Sequence, residues 1–429
     1  MNKKLLSITL AAAMTLSMGT MAFADEAEAS YENCTLTFDW WGGDTRHQAT
    51  QDAIAAFEEK YPGIEVQANY GAWDGWESAE ALKFNSQKTA DVTQINASWI
   101  NAYDANGETF LDLNTVADTL DFSQWDEDIL KMCEDPVGGL ASVPVSLTGR
   151  VLYFDKTSFD EVGVEIPKTI QDLLDCGDAF GAYDDGYYPL VLGAYDRALF
   201  MTQYLSAKYS KPVYENGELM FTEEELQEGV EFIQSLVDHH VIPALDVLDG
   251  DGASSTDQNP KWTNGQYAGI YEWDSSFAKY AGALAEGREF VVGDELEEMK
   301  AGTFYKVTLS FAISAQSEHP HEAALLINYL LNDPEGIKIM AAERGIPASA
   351  IAYETLSEAG LFDEATMEAH TKIFDVATYF LDTAFFDDAT LKDVAEGAFQ
   401  DAFSGIDYGD YEISEAVEIL FEALTAVTE

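Results

Sequence analysis

Trp41, Asp44 and Arg46 flank a Gly-Gly turn, and Trp73, Asn96 and Trp99 follow within the next sixty positions. These residue types suit holding a molecule more than transforming one. An indole offers a flat apolar face, a carboxylate accepts hydrogen bonds and a guanidinium donates them in a planar fork. Together they fit a polyhydroxylated solute, whose C–H faces lie on a ring while its hydroxyls meet the polar groups. A ring covering roughly 100 Å² of such a solute contributes about 2.5 kcal/mol. Two or three rings with oriented polar groups then reach the roughly −8 kcal/mol of a micromolar site. Competing roles stand beside each residue. Any Trp also serves as core, Asp44 as a helix cap, and Arg46 as a surface ion-pair partner; facing a ligand instead, Arg46 meets a sugar hydroxyl or a uronate carboxylate.

The elements that must place these residues alternate between strand and helix. Leu36, Phe38 and Trp40 alternate with Thr35, Thr37, Asp39 and Trp41, the period of a strand, which turns Trp40 inward and Trp41 the other way. Asp44 suits an N-cap, and Ala49, Ala53, Ile54 and Phe57 form a helical stripe that ends before Pro62-Gly63. A second strand over 64–68, a helix over 76–85 and a third strand over 91–96 follow. This order predicts βαβ units and a mainly parallel sheet. Ligands of such sheets lie at the carboxyl ends of strands, where Trp41 and Trp99 fall. The extended segment 138–155, interrupted by Pro144 and Gly149, reads as a crossover. Helices are predicted over 169–180, over 223–239 behind Thr222, and over 320–331, with a strand over 304–314.

Composition narrows the function. Lys3 and Lys4, an apolar run over 5–18 and Ala22-Phe23-Ala24 form an export leader over 1–24, and no lipobox cysteine follows it. The chain has 22 basic and 78 acidic residues and a formal net charge of −56, which repels nucleic acid and anionic lipid. Its 47% hydrophobic content is that of a globular protein, and 429 residues call for two domains. Cys34, Cys133 and Cys176 make neither a disulfide scaffold nor a zinc set, and His319-Pro320-His321 reads as a loop or cap. Asp249-Gly250-Asp251-Gly252 starts like a calcium loop but has Pro260 where the terminal Glu belongs. No cofactor, metal or catalytic residue is therefore expected, and neither G-x-S-x-G nor H-E-x-x-H occurs.

Several segments in fixed order carry a resemblance. They are the strand and helix ending Tyr61-Pro62-Gly63-Ile64, then Gly139-Leu140-Ala141-Ser142-Val143-Pro144, and Val151-Leu152-Tyr153-Phe154-Asp155-Lys156. Asn264-Gly265-Gln266-Tyr267-Ala268-Gly269 leads to Trp273, and Phe311-Ala312-Ile313-Ser314 leads to Glu343-Arg344-Gly345-Ile346-Pro347-Ala348. Over nearly the whole chain this resembles the extracellular solute-binding proteins of ABC importers, the oligosaccharide-binding family 1 group that includes maltose-binding proteins. One departure is Gln87-Lys88-Thr89-Ala90-Asp91, where the group has a small residue-Gly-x-x-Pro-Asp turn.

The resemblance implies a type II periplasmic-binding-protein fold of class α/β. Each of its two lobes is a mainly parallel sheet flanked by helices, with a ligand cleft between them. The expected first lobe is 25–146 plus 295–332 and the second 147–294 plus 333–429, with crossings near 146–150, near 292–295 and near Asp333. Trp273 then sits at the end of a second-lobe strand with Asp274 beside it, and Tyr195 joins the candidate ligand-binding set. Arg344, in its Arg-Gly-Ile-Pro turn, is expected to be structural. A disulfide, if formed, is expected between Cys34 and Cys133, which share a lobe. The implied protein is an exported monomer, periplasmic or extracellular, that hands an oligosaccharide to ABC permease subunits without nucleic-acid partners or membrane insertion. Two other classes remain: a secreted carbohydrate-active hydrolase or lyase, and an adhesive surface protein.

Overall fold

Alternating apolar residues build β1 (Cys34–Trp41), with Leu36, Phe38 and Trp40 wholly buried. α1 (Asp44–Lys60) follows and buries Thr50, Ala53, Ile54 and Phe57 against the same core. Gly43, not Asp44, is its N-cap, and Asp44 lies in the first turn, where a carboxylate complements the helix dipole. β2 (Ile64–Gly71), α2 (Trp76–Asn85), β3 (Val92–Ile95) and the short α3 (Trp99–Tyr103) complete the first segment. The computed structural model describes residues 31–73, 75–215, 217–252, 255–382 and 386–428. The expected leader over 1–24 lies outside the described residues. Among these residues no helix is long and apolar enough to cross a membrane.

β1 pairs in parallel with β2 and β3, as the βαβ order predicts. Beyond β3 the pairing turns antiparallel, first to the strand Phe304–Ile313 and then to β4 (Val143–Asp155). β4 is buried along its whole length and serves two sheets. Through Gly149 it pairs with Phe304–Ile313; from Arg150 onward it pairs with Gly269–Trp273 and Phe290–Val292, both antiparallel. In the second lobe these two partners of β4 run against it, while Tyr188 and Val191 bridge Tyr267 and Ile270 in parallel. At the switch, a Cβ on Gly149 would lie 2.5 Å from Ile373 Cγ2 and 2.9 Å from the Phe304 carbonyl oxygen. Only glycine lets these strands approach so closely.

Each half of β4 enters a different core. Val143, Val145 and Leu147 join β1, α1 and the helix Pro320–Asn332. Leu152 and Phe154 face the helices Ile170–Tyr183, Ala194–Tyr209 and Glu223–Asp238, while Val151 and Tyr153 face Trp262, Tyr267 and Ile373 across the sheet. Thr169 and Thr222 cap two of these helices with reciprocal bonds to Asp172 and Glu225.

Two chain crossings differ from expectation. The one placed near 292–295 lies inside Phe304–Ile313, where Phe304 packs in the second core and Val307 in the first. The one placed at Asp333 comes later, because Pro334–Met340 packs on α1 and Met340 joins the first core. Ala369 and Ile373 are in the second. The three cysteines are free, so the Cys34–Cys133 pairing is not formed: the buried Cys133 thiol lies 3.5 Å from Ser310 Oγ.

Glu295 lies buried beside this junction and accepts from Gln203 Nε2 at 2.6 Å, and Gln203 in turn accepts from the Tyr271 hydroxyl at 2.7 Å. Burial pushes the Glu295 carboxyl up from 4.5 to about 7. A carboxyl raised on folding binds its proton more tightly in the folded state, so its contribution is full below the unfolded value and is lost as pH rises through the folded one. Between about pH 5 and about pH 8 the wild type should lose about 2 to 3 kcal/mol of stability at this site. Glu295→Gln should lose correspondingly less in urea titrations at the two pH values; parallel losses would refute the assignment.

Candidate functional site

The carboxyl end of β1 and the turns around it open onto a cavity of about 530 Å³. Trp41, Arg46, Trp73 and Asn96 line it from the first core, with Thr148 of β4, Thr308, and the turn Ala342 to Gly345. Ser275, next to Trp273-Asp274, closes it from the second core. The cavity therefore joins four of the nine residues selected from sequence.

Three indoles cluster behind its mouth. Trp41 and Trp73 have ring centroids 5.1 Å apart, Trp41 and Trp99 5.3 Å, and Trp73 and Trp99 6.1 Å. Exposure separates their roles: Trp73 is 45% exposed, Trp41 7% and Trp99 2%. Trp99 is thus corrected from a ligand platform to a support. Phe84 and Tyr103, with centroids 5.9 and 6.2 Å from Trp99, cover the rest of its ring.

Arg46 turns back over the glycine before α1. A Cβ on Gly42 would meet Arg46 Cδ at 2.5 Å, so the glycine makes room for the side chain. Arg46 Nε donates to the Glu343 carbonyl at 2.9 Å and Nη1 to the Trp41 carbonyl at 3.1 Å. Gln94 Nε2 donates to the same Trp41 carbonyl at 3.2 Å, while Gln94 Oε1 accepts from Arg344 Nε at 2.8 Å. One hydrogen-bonded unit thereby fixes both guanidiniums and the indole. Arg344 also donates to Thr50 Oγ1 at 3.0 Å, but its buried Nη2 has no partner among the described residues. Neither Arg46 nor Arg344 forms an ion pair there, although the Glu343 carboxylate lines the same cavity and acts on both guanidiniums. Burial, and after it the nearby Arg46, lowers the Arg344 pKa well below its usual value. The structural role expected for Arg344 misses that it also lines the cavity. The turn that carries it begins at Ala341, whose φ of 45° is a strained conformation for a residue with a side chain.

Arg150 and Lys306 lie one pleat beyond Thr148 and Thr308 on the same strands, and hence on the same face. Both have counter-ions: Arg150 Nη1 meets Asp196, and Lys306 Nζ lies 3.0 Å from Asp387. Arg150 Cζ sits 4.5 Å and Lys306 Nζ 4.2 Å from the Trp273 ring centroid. Tyr195 donates to Asp387 and has Arg150 5.6 Å from its ring. Trp273 and Tyr195 therefore belong to a cation–aromatic cluster beside the cavity and do not line it. Asp44 is exposed on α1 and also lies outside it. Asp274 is wholly buried: Oδ1 accepts from Thr148 Oγ1 at 2.6 Å, and Oδ2 lies 2.7 Å from His370 Nδ1. Both oxygens are engaged, which removes Asp274 from the candidate ligand contacts. Sequence order could not reveal this, because His370 and Thr148 reach it from distant segments.

A family model described as bacterial extracellular solute-binding protein matches residues 43–337. A periplasmic oligogalacturonide-binding protein from Yersinia enterocolitica, in complex with saturated digalacturonic acid, is 31% identical. That match covers 92% of this chain and 100% of the other, with a TM-score of 0.79. A periplasmic solute-binding protein from Pectobacterium atrosepticum is 29% identical over 92% of this chain and 98% of its own, with a TM-score of 0.81. A de novo designed cysteine esterase is 30% identical over 93% and 99% of the two chains, with a TM-score of 0.84.

The indole cluster makes a direct test of burial. Trp99→Ala should cost about 3 to 5 kcal/mol in chemical denaturation, as expected for a buried aromatic. Trp73→Ala should stay within roughly 0.5 kcal/mol of wild type. Equal losses would contradict the division between supporting and presented rings.

Proposed function

The chain belongs to the bacterial extracellular solute-binding proteins, and from that membership we propose that its cleft captures a short oligosaccharide bearing uronate carboxylates and delivers it to an ABC permease. The observation that carries this reading is the pair Arg46 and Arg344, two guanidiniums lining one cavity with one carboxylate, Glu343, near them and no ion pair to either among the described residues. A buried cation lacking an anion is costly, and a ligand carboxylate that fills the gap recovers much of that energy. Arg also suits a carboxylate through two parallel hydrogen bonds. Trp41 and Trp73 supply the apolar surface for the sugar ring, and Asn96 supplies an amide for its hydroxyls. The Yersinia relative, whose solved complex holds digalacturonic acid, supports the same ligand class.

The lobes that close on this ligand are 31–149 with 307–358 and 150–306 with 369–428, joined through β4 and the strand Phe304–Ile313. Rotation about these strands brings Ser275, with the Arg150, Lys306 and Trp273 cluster, toward the first-lobe rings. Ligand favours closure only through contacts better made in the closed form. Ser275 and the Trp273 ring supply such contacts from the second lobe, since Arg150 and Lys306 are already paired with Asp196 and Asp387. Export places the protein outside the cytoplasm, where the closed monomer presents both lobes to the permease.

The enzymatic alternative has less support. Burial pushes the thiols of Cys34 and Cys133 up to about 11 and that of Cys176 up to about 12, so none is a ready thiolate nucleophile. Bound-ligand calorimetry tests the reading. Digalacturonate should bind at micromolar or tighter dissociation constants, ~−8 kcal/mol or better, without being consumed, and maltose should bind at least tenfold more weakly. Arg46→Ala and Arg344→Met should each weaken digalacturonate more than tenfold while changing affinity for a neutral sugar little. Stronger binding of neutral sugars, or indifference to both substitutions, would overturn it.

A further inference from the structure

Away from the cleft, the first residue of β1 meets the start of the helix Pro320–Asn332. There the Cys34 thiol, the His319 imidazole and the Glu322 carboxylate each present one ligand atom, and these atoms all lie within 4.8 Å of one another. Cys34 is half-buried and free of any disulfide. Neither its sulfur nor the His319 ring makes a hydrogen bond among the described residues. Glu322 is 4% exposed, accepts one hydrogen bond from the Glu32 amide at 2.7 Å, and pairs with no Lys or Arg among those residues. A buried carboxylate held by one neutral donor is poorly compensated. We propose that Cys34, His319 and Glu322 form a binding site for a single borderline-soft divalent cation of the zinc class.

The donor set supports this ion in particular. Thiolate sulfur, imidazole nitrogen and carboxylate oxygen are the three ligand types zinc accepts, whereas calcium and magnesium take oxygen alone. Around a tetrahedral zinc, sulfur and nitrogen ligands stand about 3.5 Å apart, so shifts of about 1 Å in flexible side chains close the trio. Water takes the fourth position. A helix N-terminus disfavours a lone cation, but here the thiolate and carboxylate charges cancel those of the metal, leaving a neutral group. The bond that forms is metal to sulfur, and the thiol proton leaves to solvent. Burial, then Glu322, push that thiol up to about 11, so capture displaces a proton and tightens as pH rises. The ion would tie the start of β1 to the N-terminus of a core helix, a stapling role separate from ligand capture in the cleft.

The experiment is titration of the chelator-treated mature protein with Co²⁺ and then Zn²⁺. One equivalent of Co²⁺ should give a thiolate-to-cobalt charge-transfer band in the near ultraviolet, and Zn²⁺ should displace it. Cys34→Ser should abolish the band and weaken Zn²⁺ at least tenfold, and His319→Ala should weaken Zn²⁺ similarly. Because the His319 ring is not a core residue, that variant reports even if Cys34→Ser misfolds. Absence of the band, an unchanged band in Cys34→Ser, or only multiple weak sites typical of surface carboxylates would overturn the proposal.

Discussion

The ladder hydrogen bonds of β4 change partners between Gly149 and Arg150, and the rest of the structure hangs on that exchange. Buried backbone groups must find partners, so a strand buried along its whole length can leave one sheet only where another takes over at once. Register shifts between Pro144 and Leu147 bend the strand just before the exchange. Gly149 admits the neighbouring strand, and Arg150 anchors the far side by bonding Asp196 and the Tyr271 carbonyl. The cavity lies beside this junction because Thr148 and Thr308 project from the two strands that cross it.

Electrostatics gives the cleft a character opposite to that of the molecule. A chain with 78 acidic and 22 basic residues lines this cavity with two cations and sets two more beside it. Two, Arg150 and Lys306, are neutralised internally and pack on aromatic rings. The other two, Arg46 and Arg344, are held by neutral acceptors: backbone carbonyls, an amide and a hydroxyl. Neutral acceptors orient a guanidinium without cancelling its charge. The field of the surrounding acids excludes anions from the outer surface, so these two cations, with the single carboxylate of Glu343 beside them, concentrate attraction for one within the groove.

Local periodicity made the first segment legible. The alternation through Trp40 and Trp41 placed β1, and the stripe Ala53, Ile54 and Phe57 placed α1, because both patterns are set by neighbours in sequence. Trp41, Arg46, Trp73 and Asn96 line one cavity for a related reason: each follows a strand or begins the next helix. Trp99 satisfied the same rule and failed, since Phe84 and Tyr103 fold over it and position after a strand says nothing of what covers a ring. Asp274 and Arg344 went the other way. Their roles depend on Thr148, His370, Gln94 and Thr50, brought together only by tertiary packing. Which strands pair with the second half of β4 was equally hidden, because that depends on segments far along the chain.

The three clustered indoles have an optical consequence. Rings this close share electronic excitation, and emission collects at the member whose surroundings relax most, the water-facing Trp73. Any body that covers that ring strips its hydration, shifting the emitted light toward shorter wavelength. Occupancy of the groove is therefore written into the chain's own fluorescence, with no label attached.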